Sequence, residues 1–315
     1  MLKKIMCGSI CLLLVLLLCS CGGGKKVLEI QKTPDNAFAP DDNWELTFSE
    51  DFNGDSLDRN TWHYAYDEEG VRRGGWWVDD AVLVENGNLV IRTEYRENGK
   101  FGAGWYTGGI ESSPREAENG QPACTGFSQT GGYFEARCKV PATYGNWAAF
   151  WLMPVGDFKD DVFGTGEDGA EIDIFESPFM YWKEHQNVIS HAIHVDGYGE
   201  ELASIGSDYI EVENLYDEFH TFGLKWDETG YTFYVDGYET WHTKDALDTV
   251  CNVPAYLLLS CEVAGIVEDE KPLPGQERNA DGELTVNWAG TPEDNDKTKA
   301  YDFLVDYVKV YREKA

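Results

Sequence analysis

Glu171, Asp173 and Glu176 lie close together in the stretch Gly169-Ala170-Glu171-Ile172-Asp173-Ile174-Phe175-Glu176, and every residue between them is apolar. A carboxylate nucleophile and a carboxylic acid about 5–5.5 Å apart can cleave a glycosidic bond with retention of configuration. On a regular strand, Glu171 and Asp173 share one face and Ile172 and Ile174 the other, while Glu176 falls with the isoleucines. One extra residue, a β-bulge at Ile174-Phe175, returns Glu176 to the carboxylate face. Three crowded carboxylates cannot all ionise easily, so at least one pKa must rise. A retained proton suits Glu176 as general acid, with Glu171 as the charged nucleophile. Asp173, between them, is placed to orient Glu171 and to pass a proton.

The elements that must position these groups are strands. Helical periodicity is almost absent. Short alternating runs recur instead, among them Trp44 to Phe48, Asn88 to Thr93, Tyr133 to Val140 and Tyr231 to Val235. Asn86-Gly87, Glu228-Thr229-Gly230 and Asp236-Gly237 sit where hairpin turns are needed. Many such runs, rich in Val and aromatics, predict an all-β sandwich or barrel. In Phe303 to Tyr311 both alternating sides are mostly apolar with one charge each, so the pattern does not choose a buried face. Gly265 to Ala300, polar and holding Pro272, Pro274 and Pro292, is expected to be a long surface loop. Trp76-Trp77, Trp105-Tyr106 and Trp147 flank Gly-rich turns, where some aromatic faces can open onto a groove and stack on sugar rings.

The chain opens with a basic start and an apolar run from Ile10 to Leu18, too short to span a bilayer and consistent with an export signal. Leu18-Cys19-Ser20-Cys21 resembles a lipoprotein cleavage box, so residues 1–20 are expected to be a signal peptide and Cys21 the lipidated residue. Residues 21–42 form an expected polar tether, and 43–315 one catalytic domain. The mature protein is expected to be a monomer held to a bacterial membrane by its lipid, at the cell surface. With 25 Lys+Arg against 57 Asp+Glu, the net charge of −32 argues against a nucleic-acid partner. Beyond the signal and Cys21 remain Cys124, Cys138, Cys251 and Cys261. Export permits disulfides in three full pairings, whereas Cys138 and Cys261 lie on apolar faces and suit a buried, unpaired role. His191 and His194 lack the third ligand of a zinc site.

Taken in order, the motifs resemble glycoside hydrolase family 16, on its laminarinase-like side of retaining endo-β-glycanases. Trp44 to Asn53 is similar to the family's opening strand, Gly132 to Arg137 to its pre-catalytic strand, and Trp147 to Leu152 to its aromatic strand. Glu171 to Glu176 matches the bulged signature. Phe219 to Phe222, Phe233 to Gly237 and Val305 to Tyr311 complete the series. The resemblance implies a jelly-roll β-sandwich of two antiparallel sheets with a concave substrate cleft, and a polysaccharide substrate, most simply β-1,3- or mixed-linkage glucan. It implies Glu171 as nucleophile, Asp173 as its helper and Glu176 as acid/base. Trp147 and Trp151 are implied to line the sugar subsites, with His194 near the acid/base. Trp76 and Trp77 are further candidate substrate contacts. No cofactor is implied for catalysis, and a structural calcium would be held by Asp306 with the Gly87 carbonyl. Gly109 or Ile110 stands where laminarinase-like sequences usually place a sugar-binding arginine, with Arg72 and Arg73 as candidate replacements. Two alternatives therefore stand beside the glucan reading: the same chemistry on a β-galactan or mucin-type glycan, and a non-catalytic carbohydrate-binding lipoprotein.

Overall fold

Alternating runs this short bury their apolar sides by pairing into sheets and stacking one sheet on another. The computed structural model describes residues 25–65, 69–117, 122–156, 165–178, 186–244 and 249–314. It contains two large sheets, nearly all of whose pairings are antiparallel. The front sheet runs, strand beside strand, Val27–Glu29, Tyr209–Glu211, Val188–Val195, Glu171–Pro178, Asn146–Pro154, Ala255–Val263, Gly109–Glu111 and His63–Tyr64. The back sheet centres on Gly230–Val235, His220–Asp227, Gly132–Lys139, Ala300–Glu313 and Asn88–Gly99. Between them Phe150, Ile172, Phe175, Leu257 and Leu259 of the front sheet meet Phe134, Phe222, Phe233 and Phe303 of the back sheet, all fully buried. Phe175 lies over Phe222 with ring centres 4.0 Å apart and meets Phe303 edge-on.

The expected turns form. Asn86-Gly87 and Asp236-Gly237 each join paired strands through two residues with positive φ, the conformation that matches strand twist. Ala300–Glu313 shows why its alternation chose no face. Cys138 pairs with Val305 but Arg137 with Tyr307, which leaves Asp306 as an extra residue. The buried set therefore runs Phe303, Val305, then Val308, Val310: the phase changes within one strand.

Two expectations about irregular segments are corrected. Residues 265–300 fold into two small hairpins, Gly265–Glu268 with Lys271–Pro274 and Gln276–Arg278 with Leu284–Val286. Their strands are short and apolar residues sparse, so the period-two signal is faint. Within the expected tether, Val27–Glu29 pairs in parallel with Tyr209–Glu211, and Phe38 packs on Trp44, Tyr133 and Tyr234. The part of the expected tether from residue 25 to 42 therefore docks on the sandwich. The signal peptide and Cys21 fall outside the described residues. Cys124, Cys138, Cys251 and Cys261 are all buried and free.

Candidate active site

The catalytic-type strand Glu171–Pro178 carries the bulge where the odd spacing requires it. On one side Phe150 pairs with Phe175 and Trp151 with Asp173, so Ile174 is skipped. On the other, Asp173 faces Ala192 and Glu176 faces Ser190, which sets the single residue His191 against Ile174 and Phe175. Ile174 and Phe175 both turn inward and are fully buried. Glu171, Asp173 and Glu176 consequently line one pocket of about 330 Å³.

Neighbouring strands furnish the rest of that pocket. Trp147, Ala149 and Trp151 project from Asn146–Pro154, and Ser260 and Glu262 from Ala255–Val263. Trp151 Nε1 donates to Ser260 Oγ at 3.0 Å, which fixes the indole against the pocket. Trp147 is held edge-on by Trp288, from the segment expected to be a loop, with ring centres 5.2 Å apart. Arg73 lies over the Trp147 ring at 4.6 Å, a cation–π contact. Arg72 Nε donates to Glu262 Oε1 at 2.7 Å, and Arg73 pairs with the other Glu262 oxygen. This arginine turn presses on the end of the front sheet: a Cβ on Gly74 would lie 2.2 Å from the Ala264 carbonyl oxygen, so only glycine fits.

Burial shapes the electrostatics. Glu171 and Asp173 are 8% and 4% exposed. Loss of hydration is the main cause raising all three carboxyls from their ordinary values. Asp173's charge adds to the rise at Glu171 and at Glu176, and all three carboxyls are pushed up to about 8. The Tyr198 hydroxyl, hydrogen-bonded to Glu171 Oε2, and His194 pull Glu171 the other way. Such a cluster shares its protons and titrates as a unit. His194, in register with Glu171, accepts or donates at Nδ1 with Ser204 Oγ at 2.6 Å. Its Nε2 stands 3.2 Å from Asp173 Oδ2, close enough for charge interaction but not aligned for a hydrogen bond.

The structure thus brings together Glu171, Asp173, Glu176, Trp147, Trp151 and His194. Trp76 and Trp77 go elsewhere. Trp76 stacks on Phe101 with ring centres 4.9 Å apart, and Trp77 is buried beneath Arg72. Trp105 and Tyr106 are also buried. A side chain at Gly109 would meet the Trp77 ring at 3.1 Å, so the tryptophan fills the space where an arginine was expected. The proposed calcium ligands do not fit a cation: Asp306 Oδ2 takes Arg137 Nη1 at 2.6 Å, which already neutralises it. Tyr198, Ser260 and Glu262 were not anticipated. Tyr198 sits in a loop without periodicity. Glu262 and Ser260 alternate with buried Cys261, a signal that was present but lost in an apolar run.

Residues 75–290, well over half of the chain, match glycosyl hydrolases family 16. The glucan endo-1,3-beta-glucosidase A1 of Niallia circulans is 26% identical over 85% of this chain, which spans only 38% of that protein's length. The beta-glucanase of Rhodothermus marinus is 25% identical over 99% of this chain and 96% of its own. The catalytic domain of an endo-1,3-beta-glucanase (laminarinase) from Thermotoga petrophila RKU-1 superposes with a TM-score of 0.60, covering 86% of this chain and 99% of that domain at 24% identity. That likeness extends the jelly-roll sandwich architecture to this protein. Glu171, Asp173 and His194 place ligand-type atoms within 4.8 Å of one another, but catalysis in the family draws on carboxylates and needs no cofactor. The chain belongs to glycosyl hydrolases family 16 and is a glycosidase.

Proposed function

We propose that the protein is a retaining endo-β-glucanase acting on β-1,3- or mixed-linkage glucan, with Glu171 as nucleophile, Glu176 as acid/base and Asp173 as the group that orients Glu171. One observation supports this above all: the bulge turns three carboxylates onto one face, in a pocket walled by Trp147 and Trp151. The tryptophan faces offer stacking surfaces for the apolar faces of pyranose rings. The Tyr198 hydrogen bond favours the charged form of Glu171, so the proton retained by the cluster resides on Glu176, which gives it to the departing glycosidic oxygen as Glu171 attacks the anomeric carbon. The ionised Glu176 then takes a proton from water, which attacks the glycosyl-enzyme and releases Glu171. Tyr198's hydroxyl holds one oxygen of Glu171 while the other faces the sugar.

The names of the Niallia and Rhodothermus relatives support a glucan substrate. Digestion of laminarin, mixed-linkage glucan, β-galactan and mucin, with products sized, tests it. The expected result is glucan oligosaccharides of mixed length from wild type and none from Glu171→Gln. Mucin belongs in the panel because a solved structure of similar fold, with a TM-score of 0.59, comes from work on endo-acting O-glycanases that initiate mucin breakdown. Release from mucin alone would overturn the glucan assignment.

We also propose that the protein is exported and anchored through a lipid on Cys21, as a monomer. The basic start, the apolar run from Ile10 to Leu18 and the Leu18-Cys19-Ser20-Cys21 box support this. Cys21→Ser is expected to move the protein from the membrane to the soluble fraction on fractionation. Unchanged membrane retention would refute the anchor.

A further inference from the structure

A bulge interrupts the hydrogen-bond ladder, and the residues it frees need other partners. At Ile174 that partner is a side chain. His191 Nδ1 lies 2.6 Å from the Ile174 carbonyl oxygen, and His191 Nε2 lies 2.9 Å from Thr240 Oγ1. The ring is fully buried, 4.7 Å from the centre of Phe233 and parallel to Trp241. Burial lowers its pKa to about 4, so the imidazole is neutral at the pH of most enzymes. A neutral ring has one N–H, and the carbonyl can only accept. Nδ1 therefore donates to Ile174, and Nε2 is left as an acceptor facing the Thr240 hydroxyl, whose one proton it shares with the Phe233 carbonyl oxygen 3.1 Å away. Thr240 belongs to Tyr238–Thr243, on the back sheet, so the contact ties the bulge across the sandwich to the opposite layer.

We propose that His191, with its tautomer set by the Ile174 carbonyl and its far nitrogen seated against Thr240, is a positioning residue that holds the Ile174-Phe175 bulge and thereby aims Glu176 at the glycosidic oxygen. Among the described residues His191 does not line the carboxylate pocket, and it acts through the backbone of the strand it braces. Its register explains the role: it is the one residue facing two, between Ala192 opposite Asp173 and Ser190 opposite Glu176. Any slackening of the bulge moves Glu176 relative to Glu171, and a shift near 1 Å can lower a rate on the order of 100-fold. This inference rests on the assignment of Glu176 as acid/base.

The test separates acid placement from general damage. Dinitrophenolate leaves without a proton, and azide attacks a glycosyl-enzyme without a base, so dinitrophenyl β-laminaribioside with azide bypasses Glu176 in both steps. His191→Phe keeps the ring volume and removes the donor. It is expected to cut kcat/KM on laminarin roughly 10- to 100-fold and to leave the azide-assisted aryl reaction within about threefold of wild type. His191→Asn, whose amide N–H can reach the same carbonyl, is expected to recover most of the laminarin activity. Should His191→Phe fail to fold, Thr240→Val leaves the histidine but removes the contact that seats its Nε2, and a smaller loss confined to laminarin is expected. Equal losses on both substrates, or none on laminarin, would overturn the proposal. Glu176→Gln is the control: if it lacks the leaving-group pattern, the acid/base assignment falls and this inference with it. If Glu176→Gln shows the pattern and the His191 and Thr240 variants do not, only the positioning role falls.

Discussion

Two of the bulges in the sandwich invert one another. In Glu171–Pro178 the doubled residues, Ile174 and Phe175, both turn into the core, and the polar residues flanking them face the pocket. In Ala300–Glu313 the doubled residues, Asp306 and Tyr307, are both partly exposed, and the valines flanking them stay inside. The first is fixed by apolar burial and by an imidazole on its freed carbonyl. The second is fixed by an ion pair between Asp306 and Arg137, both side chains more than a third exposed. The same irregularity thus serves two ends. Buried doubling carries a reactive group on its outer face and holds it rigidly; exposed doubling only lets a long strand keep its apolar residues inside while changing phase.

The comparison breaks most visibly in activity. Glu176→Gln, at the edge of the buried bulge, is expected to lower kcat/KM on polysaccharide by roughly 10²- to 10⁴-fold. The same variant tests the electrostatics. Glu176 has its folded-state pKa raised to about 8, so the folded state holds the proton more tightly than the unfolded chain. Its contribution to stability is complete below its ordinary pKa near 4.5 and is lost as pH rises through about 8. Wild type is therefore expected to melt at falling temperature across that window, and Glu176→Gln to show a shallower decline by calorimetry. Loss of the basic limb of the activity profile should follow the same proton. A steeper decline in the variant would contradict the assignment.

Stability sharpens the contrast on a smaller scale. Ile174→Ala is expected to cost about 2–5 kcal/mol, because it opens a cavity in the core. Asp306→Ala is expected to cost no more than about 1 kcal/mol, as exposed ion pairs generally do, with unchanged turnover. Denaturant unfolding of both variants measures the difference. Equal costs would mean that the exposed bulge is as deeply integrated as the buried one.

The difference in character also explains what the sequence disclosed. Glu171, Asp173 and Glu176 stand against isoleucines and a phenylalanine, so one skipped residue was the sole way to keep the acids together. Around Asp306 each alternating side mixes apolar and charged residues, and the skip left no contrast to detect. The sandwich followed from turn residues such as Asn86-Gly87 and from the ordered motifs. Trp76 and Trp77 show the limit: adjacency to glycines predicted exposure, but Gly109 leaves a hollow that the Trp77 ring fills. Contacts across the sandwich, such as His191 with Thr240, or across a groove, such as Tyr198 with Glu171, have no local pattern at all.

The docked segment at the start of the described chain has a consequence for colloidal behaviour. Val27–Glu29 and Ala203–Gly206 form one border of the front sheet, and His63–Tyr64 forms the other. These border strands are three, four and two residues long, and Pro34 follows soon after the first. A foreign strand seeking to prolong the sheet would find few open amides to pair with. A chain rich in β-structure thus ends its described front sheet in short strands that offer such growth little template, and its net charge of −32 opposes the approach of its own copies.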